Sequence, residues 1–468
     1  MGWERNHVMY EIELKQLEEE GFDTREAAHF AAEALDDPAA YAAALKALEK
    51  LPRRPDFAYE EPDTLEEILA ASDAAEEAEK RIADGAFAAQ QENALLSERE
   101  TYLKKLHAAW TGRAAGCALG KPVECHPYMA GADGKTGFDY VKAWFEGADA
   151  YPINFYTPAH SRAEENGLHL VCPKSQRENI RFMESDDDVR YTVLGLKLME
   201  EKGFAFSTWD VGELWHKNLP YRMCCTAETQ AYLNFAAVTN HLHPQEPADA
   251  EERIRFVNTY QNPYREWIGA QIRVDAYGYA AAGDPLTAAK LAYKDAHLSH
   301  VKNGVYGAMF VAAMIAAAFT ADSLREIVET GLRYVPKKSR LYEAIADTLS
   351  WAGPEVTPEE LCRRLWEKWG KYDCVHTINN AACVAACVLA SDGDYERAIT
   401  NAVLTGWDTD CNGATVGSIM GAFLGSVPEK WAAPLHDTMY SEVSGFDPIT
   451  FTDAAKRTLD VALKERTK

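Results

Sequence analysis

Apolar residues along this chain recur at helical spacing, and alternating β-branched runs bounded by turn residues are scarce, so the pattern predicts an all-α fold. Ser97 and Glu100 have the spacing of a capping box, and Tyr102, Leu103, Leu106, Ala109, Trp110 and Cys117 follow it in helical register. This predicts a division into a small N-terminal helical extension over residues 1–96 and a main domain over 97–468. Within the extension, Asp23 with Glu26 and Asp63 with Glu66 predict helix starts, and RRPDFAYEEPD (53–63) reads as a Pro-punctuated connection. The extension gathers no catalytic residue types, which predicts a packing or dimerisation role. Residues 134–178 are the least periodic part of the chain, and a stretch of that length in a compact domain is expected to carry function. The run GVYGAMFVAAMIAAAF (304–319) has 16 residues, short of the roughly 17–25 a bilayer needs, and predicts a buried helix.

Composition narrows the partners. With 48 Lys+Arg against 73 Asp+Glu and a formal net charge of −25, the chain repels phosphate backbones and anionic membranes, so neither nucleic acid nor a membrane is expected. The opening MGWERNHVMY has no apolar stretch of a signal peptide, and the 10 cysteines form no CxxC pair, so a cytoplasmic protein with free thiols is expected.

Candidate chemistry lies in three segments. In ESDDDVRYTVLGLKLMEEKG (184–203), Asp186, Asp187 and Asp188 sit at the start of a helix that Gly203 ends. Carboxylates there can simply cap the helix, but three in succession repel one another unless a cation is present. In GWDTDCNGATVGSIMGAFLG (406–425), Asp408 and Asp410 again precede a helix. Two acidic helix starts can supply oxygen ligands to one site, a donor set that suits Mg²⁺, Mn²⁺ or Ca²⁺. Gly413, Gly417, Gly421 and Gly425 then form a stripe whose helical members each cost about 0.5–1 kcal/mol against alanine, which predicts close helix–helix contact as the compensation. The third segment, WTGRAAGCALGKPVE (110–124), repeats that spacing at Gly112, Gly116 and Gly120, with Pro122 stopping the helix and Glu124 just beyond.

Together these segments resemble the ADP-ribosylglycohydrolase family. GCALGKPVE is similar to the family's glycine-rich helix leading to a glutamate, DDDV to its TDDT, and GWDTDCNG to its GGDTDT. The block 268–300 is similar to the family's substrate block, with Arg273 and His300 matching. The resemblance covers roughly residues 100–435 and implies an all-α fold around a cleft holding two Mg²⁺ ions, with Mn²⁺ as an alternative. It implies Asp187, Asp188, Asp408 and Asp410 as metal ligands, with Asp186 and Cys411 standing where the family has hydroxyl ligands. Glu124 is implied as general acid/base, with Asp187 and Asp408 beside it in the catalytic set. His300, Asn303 and Gly304 are expected to line the substrate wall. The departures at Asp186, Cys411, Ile268 and Cys117 bear on the substrate and on a shift toward softer metals.

The expected function is metal-dependent hydrolysis of a glycosidic bond to ADP-ribose or a related ribosyl group, on a ribosylated small molecule or an ADP-ribosylated protein. Three alternatives stay open: a nucleoside or furanoside glycosidase, a non-catalytic metal-binding or interaction protein, and a metallophosphoesterase.

Overall fold

The structure is a computed structural model that describes residues 4–25, 27, 35–77, 98–240 and 249–466. Among these residues the fold is helical, with isolated β-bridges such as Met183–Met439 and no strand. Eight helices matter here: α1 (Asn6–Glu19), α2 (Arg99–Gly120), α3 (Gly137–Gly147), α4 (Asp187–Lys202), α5 (Thr226–Thr239), α6 (Lys302–Ala318), α7 (Thr377–Ala390) and α8 (Thr409–Leu424).

The centre of the molecule is the antiparallel pair α2–α8, and the glycine stripes explain it. A Cβ built on Gly112 would lie 2.2 Å from the Gly417 carbonyl, one on Gly116 1.9 Å from the Gly413 carbonyl, and one on Gly120 2.3 Å from the Thr409 carbonyl. On the facing helix, Gly421 meets the Ala108 carbonyl at 2.2 Å. The two backbones touch with no room for a side chain, so the energy lost to interior glycine is returned as backbone-to-backbone packing. Because the helices run in opposite directions, the start of α8 meets the end of α2, which brings Asp408 and Asp410 to Lys121 and Glu124. Helix α6 lies buried beside this pair, from Asn303 to Ala318, as its apolar run predicts. No described helix is long and apolar enough to cross a membrane.

Helix starts follow the sequence in most places. Asp186 is the N-cap of α4 and Gly203 ends it at φ 65°, while Gly425 ends α8 in a left-handed conformation at φ 67°. In the extension the cap is one residue later than Asp63 with Glu66: Thr64 caps Leu65–Ala70 through the Glu67 N–H. The Asp63 carboxylate instead accepts the Lys302 N–H at 2.9 Å, at the start of α6. Ser97 and Glu26 lie outside the described residues, and with them the two remaining capping boxes. The 134–178 segment contains α3, opened by a Thr136–Asp139 capping box, with Val141, Trp144 and Phe145 buried.

The described residues before 78 are fastened to those after 98 by buried ion pairs. Arg265 binds Glu13 and Glu20, each at 2.7 Å. Arg340 binds Glu61 and Glu266, each at 2.8 Å, and Gln16 donates to Glu266 at 2.7 Å.

Candidate metal centre

The loop before α8 is set by its surroundings. Gly406 takes φ 78° with the Tyr128 carbonyl 2.7 Å from where a Cβ would be, and Trp407 follows at φ 59°, buried and 5.0 Å from the Trp366 ring. A non-glycine residue held in the left-handed region stores strain that the surrounding packing must impose. Asn380 on α7 holds the other side, its carbonyl oxygen accepting Asn412 Nδ2 at 2.7 Å and the Asp408 N–H at 3.4 Å.

Two acidic helix starts converge on this loop. Ligand-capable atoms of Cys117, Asp186, Asp188 and Asp410 lie within 4.8 Å of one another, as do those of Asp408, Asp410 and Cys411. Asp410 belongs to both groups. Glu124, one turn beyond α2, lies beside Asp410, and Asp187 lies beside Asp186 and Asp410. Glu124 and Asp187 keep partial exposure while Asp186, Asp188, Asp408 and Asp410 are buried, so the cluster opens to solvent on the Glu124–Asp187 side.

The electrostatics follow from burial and crowding. Burial first, then Asp410, Asp186, Asp408 and Asp187, push the Glu124 carboxyl well above the usual range. Asp187 and Asp408 move the same way, led by burial and a neighbouring aspartate, and Asp410 is pushed up to about 6. Asp186 differs. Burial raises it, but the Lys121 ammonium 2.7 Å away, with hydrogen bonds from Asp187 and the Asp188 N–H, holds it below its ordinary value. Arg113, fully buried, pairs with Asp188 at 3.0 Å and Asp275 at 2.9 Å.

The residues present fit a divalent cation. Asp408 Oδ1, Asp410 Oδ1 and Asn412 Oδ1 are buried with no hydrogen-bond partner, and the Asp408 side chain makes no cap bond to its helix. Buried carboxylate oxygens without donors are costly unless a cation meets them.

The sequence profile of the ADP-ribosylglycohydrolase family matches residues 98–465 of this chain. The chain belongs to the ADP-ribosylglycohydrolase family. No curated protein matches significantly. A solved structure described as an "ADP-ribosylglycohydrolase-related protein complex" aligns over 78% of this chain and 99% of its own at 16% identity and TM-score 0.47. The assignment rests on the profile match and not on that likeness.

In this chain the departures from the family pattern have definite places. Cys117 reaches Asp188 at 3.8 Å, and Cys411 packs on Ile268 and Ile272, with Val375 beside them, as an apolar wall. The expected substrate residues are buried among protein partners of their own. His300 Nδ1 lies 2.8 Å from Ser299 Oγ and 3.9 Å from Glu228, and burial, with Arg273 beside it, lowers its pKa so that the ring is neutral. Asn303 donates to Glu61 and Glu266, both at 2.8 Å, and accepts the Leu341 N–H at 3.1 Å. Gly304 lets the Arg265 carbonyl approach to 2.7 Å of a would-be Cβ. Arg273 is committed to Glu228, Asp295 and Ser299. His300, Asn303 and Gly304 therefore gather in buried polar networks around Glu228 and Glu266, with Asn303's amide used by protein groups on both sides. Arg113 and Lys121 are the residues that the motif reading passed over. Their signal is present: Arg113 and Cys117 on α2 and Lys121 just past its end recur at i, i+4, i+8, one position after each stripe glycine.

Proposed function

We propose that the chain hydrolyses a glycosidic bond to an ADP-ribosyl or related ribosyl group at this centre. The observation that carries the reading is a buried cluster in which Asp408 Oδ1 and Asp410 Oδ1 have no hydrogen-bond partner, with the half-buried Glu124 beside Asp410 on its open side. Of the expected ligands, Asp408, Asp410 and Cys411 form one group that would take Mg²⁺ or Mn²⁺, and Asp186, Asp187 and Asp188 line the facing helix start. A divalent cation, when bound, supplies Lewis acidity that orients a ribose diol and makes water more acidic. Glu124 holds a proton and exchanges it with the leaving group or water, and Asp187 and Asp408 place negative charge beside an oxocarbenium-like transition state. All 10 cysteines are free, which supports a reducing, cytoplasmic setting.

A ribosylated small molecule or an ADP-ribosylated protein is the proposed substrate. The apolar wall of Ile268, Ile272 and Cys411 favours a second reading, a nucleoside or other small furanoside. A mass-spectrometric panel of ADP-ribosylated peptides, ADP-ribose conjugates, nucleosides and furanosides separates the two. Glu124→Gln is expected to lower turnover about 10²–10⁴-fold while Mn²⁺ binding persists. Unchanged turnover in that variant removes Glu124 from the mechanism.

A further inference from the structure

The two halves of the acidic cluster are not equivalent. In the half formed by Cys117, Asp186 and Asp188, the protein already supplies the positive charge. Lys121 Nζ lies 2.7 Å from Asp186 Oδ2 and donates to the Ser185 carbonyl at 2.7 Å. The other oxygen of Asp186 accepts the Asp188 N–H at 3.0 Å. Arg113 Nη2 lies 3.0 Å from Asp188 Oδ1, and its Nε donates to the Asp188 carbonyl at 2.9 Å. Both oxygens of Asp186 and, with the Cys117 thiol 3.8 Å from Oδ2, both of Asp188 are thereby engaged, and the side chains of Lys121 and Asp186 are only 7% and 6% exposed.

The half formed by Asp408, Asp410 and Cys411 has the opposite character. Asp408 is 4% exposed and Asp410 1%, and one oxygen of each has no hydrogen-bond partner. Among the described residues no lysine or arginine makes an ion pair with either. Lys121 directly follows α2 and precedes Glu124 by three residues, so its ammonium is positioned by the same glycine-striped contact that builds the centre.

We propose that this centre takes a single divalent cation, on the Asp408–Asp410 side, and that the Lys121 ammonium stands in the second cation position as a built-in charge. An ammonium is a compact point charge with three donors, able to meet two oxygens of Asp186 and Ser185 at once. A second divalent ion between Asp186 and Asp188 has to displace Lys121 into a buried environment without its partner, which opposes its entry. The inference rests on reading the cluster as a metal centre, and it is independent of which glycoside is cleaved.

The test is the Mn²⁺ stoichiometry of the full chain, by calorimetric titration and by electron paramagnetic resonance at saturation, for the wild type, Asp408→Asn, Lys121→Met and Lys121→Gln. The wild type should bind one equivalent with the spectrum of an isolated Mn²⁺, lost in Asp408→Asn. The Lys121 variants should take up a second equivalent and show an exchange-coupled pair. Two coupled ions in the wild type overturn the proposal and leave the glycohydrolase reading standing. No Mn²⁺ binding by the wild type overturns both. The wild-type result is decisive even where a Lys121 variant fails to fold, and a folded Lys121 variant that still binds one ion contradicts the role of the ammonium.

Discussion

Asp186 and Asp408 occupy the same place on two helices and do different work. Asp186 caps α4 and anchors the buried Lys121 ammonium, so its charge is matched. Asp408 caps nothing and holds an unpartnered oxygen in a buried cluster, so its charge is a burden on the metal-free fold. Neutralising them should move stability in opposite directions. In the presence of EDTA, Asp186→Asn is expected to lose about 3–5 kcal/mol in urea denaturation, because it leaves Lys121 buried without its partner. Asp408→Asn should lose nothing and gain a little, the usual trade at a site kept for function. Equal losses in the two variants contradict the assignment of separate roles. The carboxylates themselves were legible in the sequence because D-x-D and DDD runs at helix starts are conspicuous. Their partners were not, since Lys121 and Arg113 become meaningful only when α4 is folded against α2.

At the scale of elements, the account depends on the α2–α8 contact. Gly116→Ala puts a methyl 1.9 Å from the Gly413 carbonyl, and neither backbone can retreat without separating the helices. A loss of at least about 3 kcal/mol is expected, together with weaker metal binding, because separation moves Glu124 away from Asp410. Denaturation and Mn²⁺ titration of the same variant check both; a loss below about 1 kcal/mol contradicts the close contact. This contact was foreseeable, because two glycine stripes with matching spacing have few other uses. Helix α3 was harder to see. It has only 11 residues, begins and ends with glycine, and carries its apolar face on Val141, Trp144 and Phe145. The start of Leu65–Ala70 moved by one residue for a tertiary reason: Asp63 is drawn to the α6 start, leaving Thr64 to cap.

For the whole molecule, residues from both ends of the chain share the buried network around Glu266, in which His376 is one proton-sensitive member and Glu19, pushed up to about 8 by burial, is another. His376 Nδ1 accepts the Ile378 N–H at 3.1 Å at the start of α7, while Nε2 faces Glu19 at 3.5 Å. Burial lowers its pKa to about 3, against attraction from Glu266. A histidine kept neutral when folded but protonated when unfolded gives the unfolded chain more bound protons below about pH 6.5. Stability from this group is therefore complete above that pH and is lost as pH falls toward 3, by up to about 1.4 kcal/mol per pH unit. His376→Gln should be less stable at neutral pH and show a shallower decline between pH 6.5 and 4.5, read from thermal melts; an unchanged slope contradicts the role. None of this network was readable from the extension's sequence, because Glu13, Glu20 and Glu61 look like solvated charges until Arg265 and Arg340 meet them. Asn303 shares that difficulty: its polar partners Glu61, Glu266 and Leu341 come from distant segments.

The central claim is that the acidic centre breaks a glycosidic bond, and isotope incorporation tests it most directly. A turned-over ADP-ribose conjugate in H₂¹⁸O with Mn²⁺, analysed promptly by mass spectrometry, should yield ADP-ribose carrying one ¹⁸O on the sugar and none on phosphate, with the signal lost in Asp408→Ala. Label on phosphate with the glycosidic bond intact, or no product from any ribosyl substrate while the cation is bound, contradicts the account.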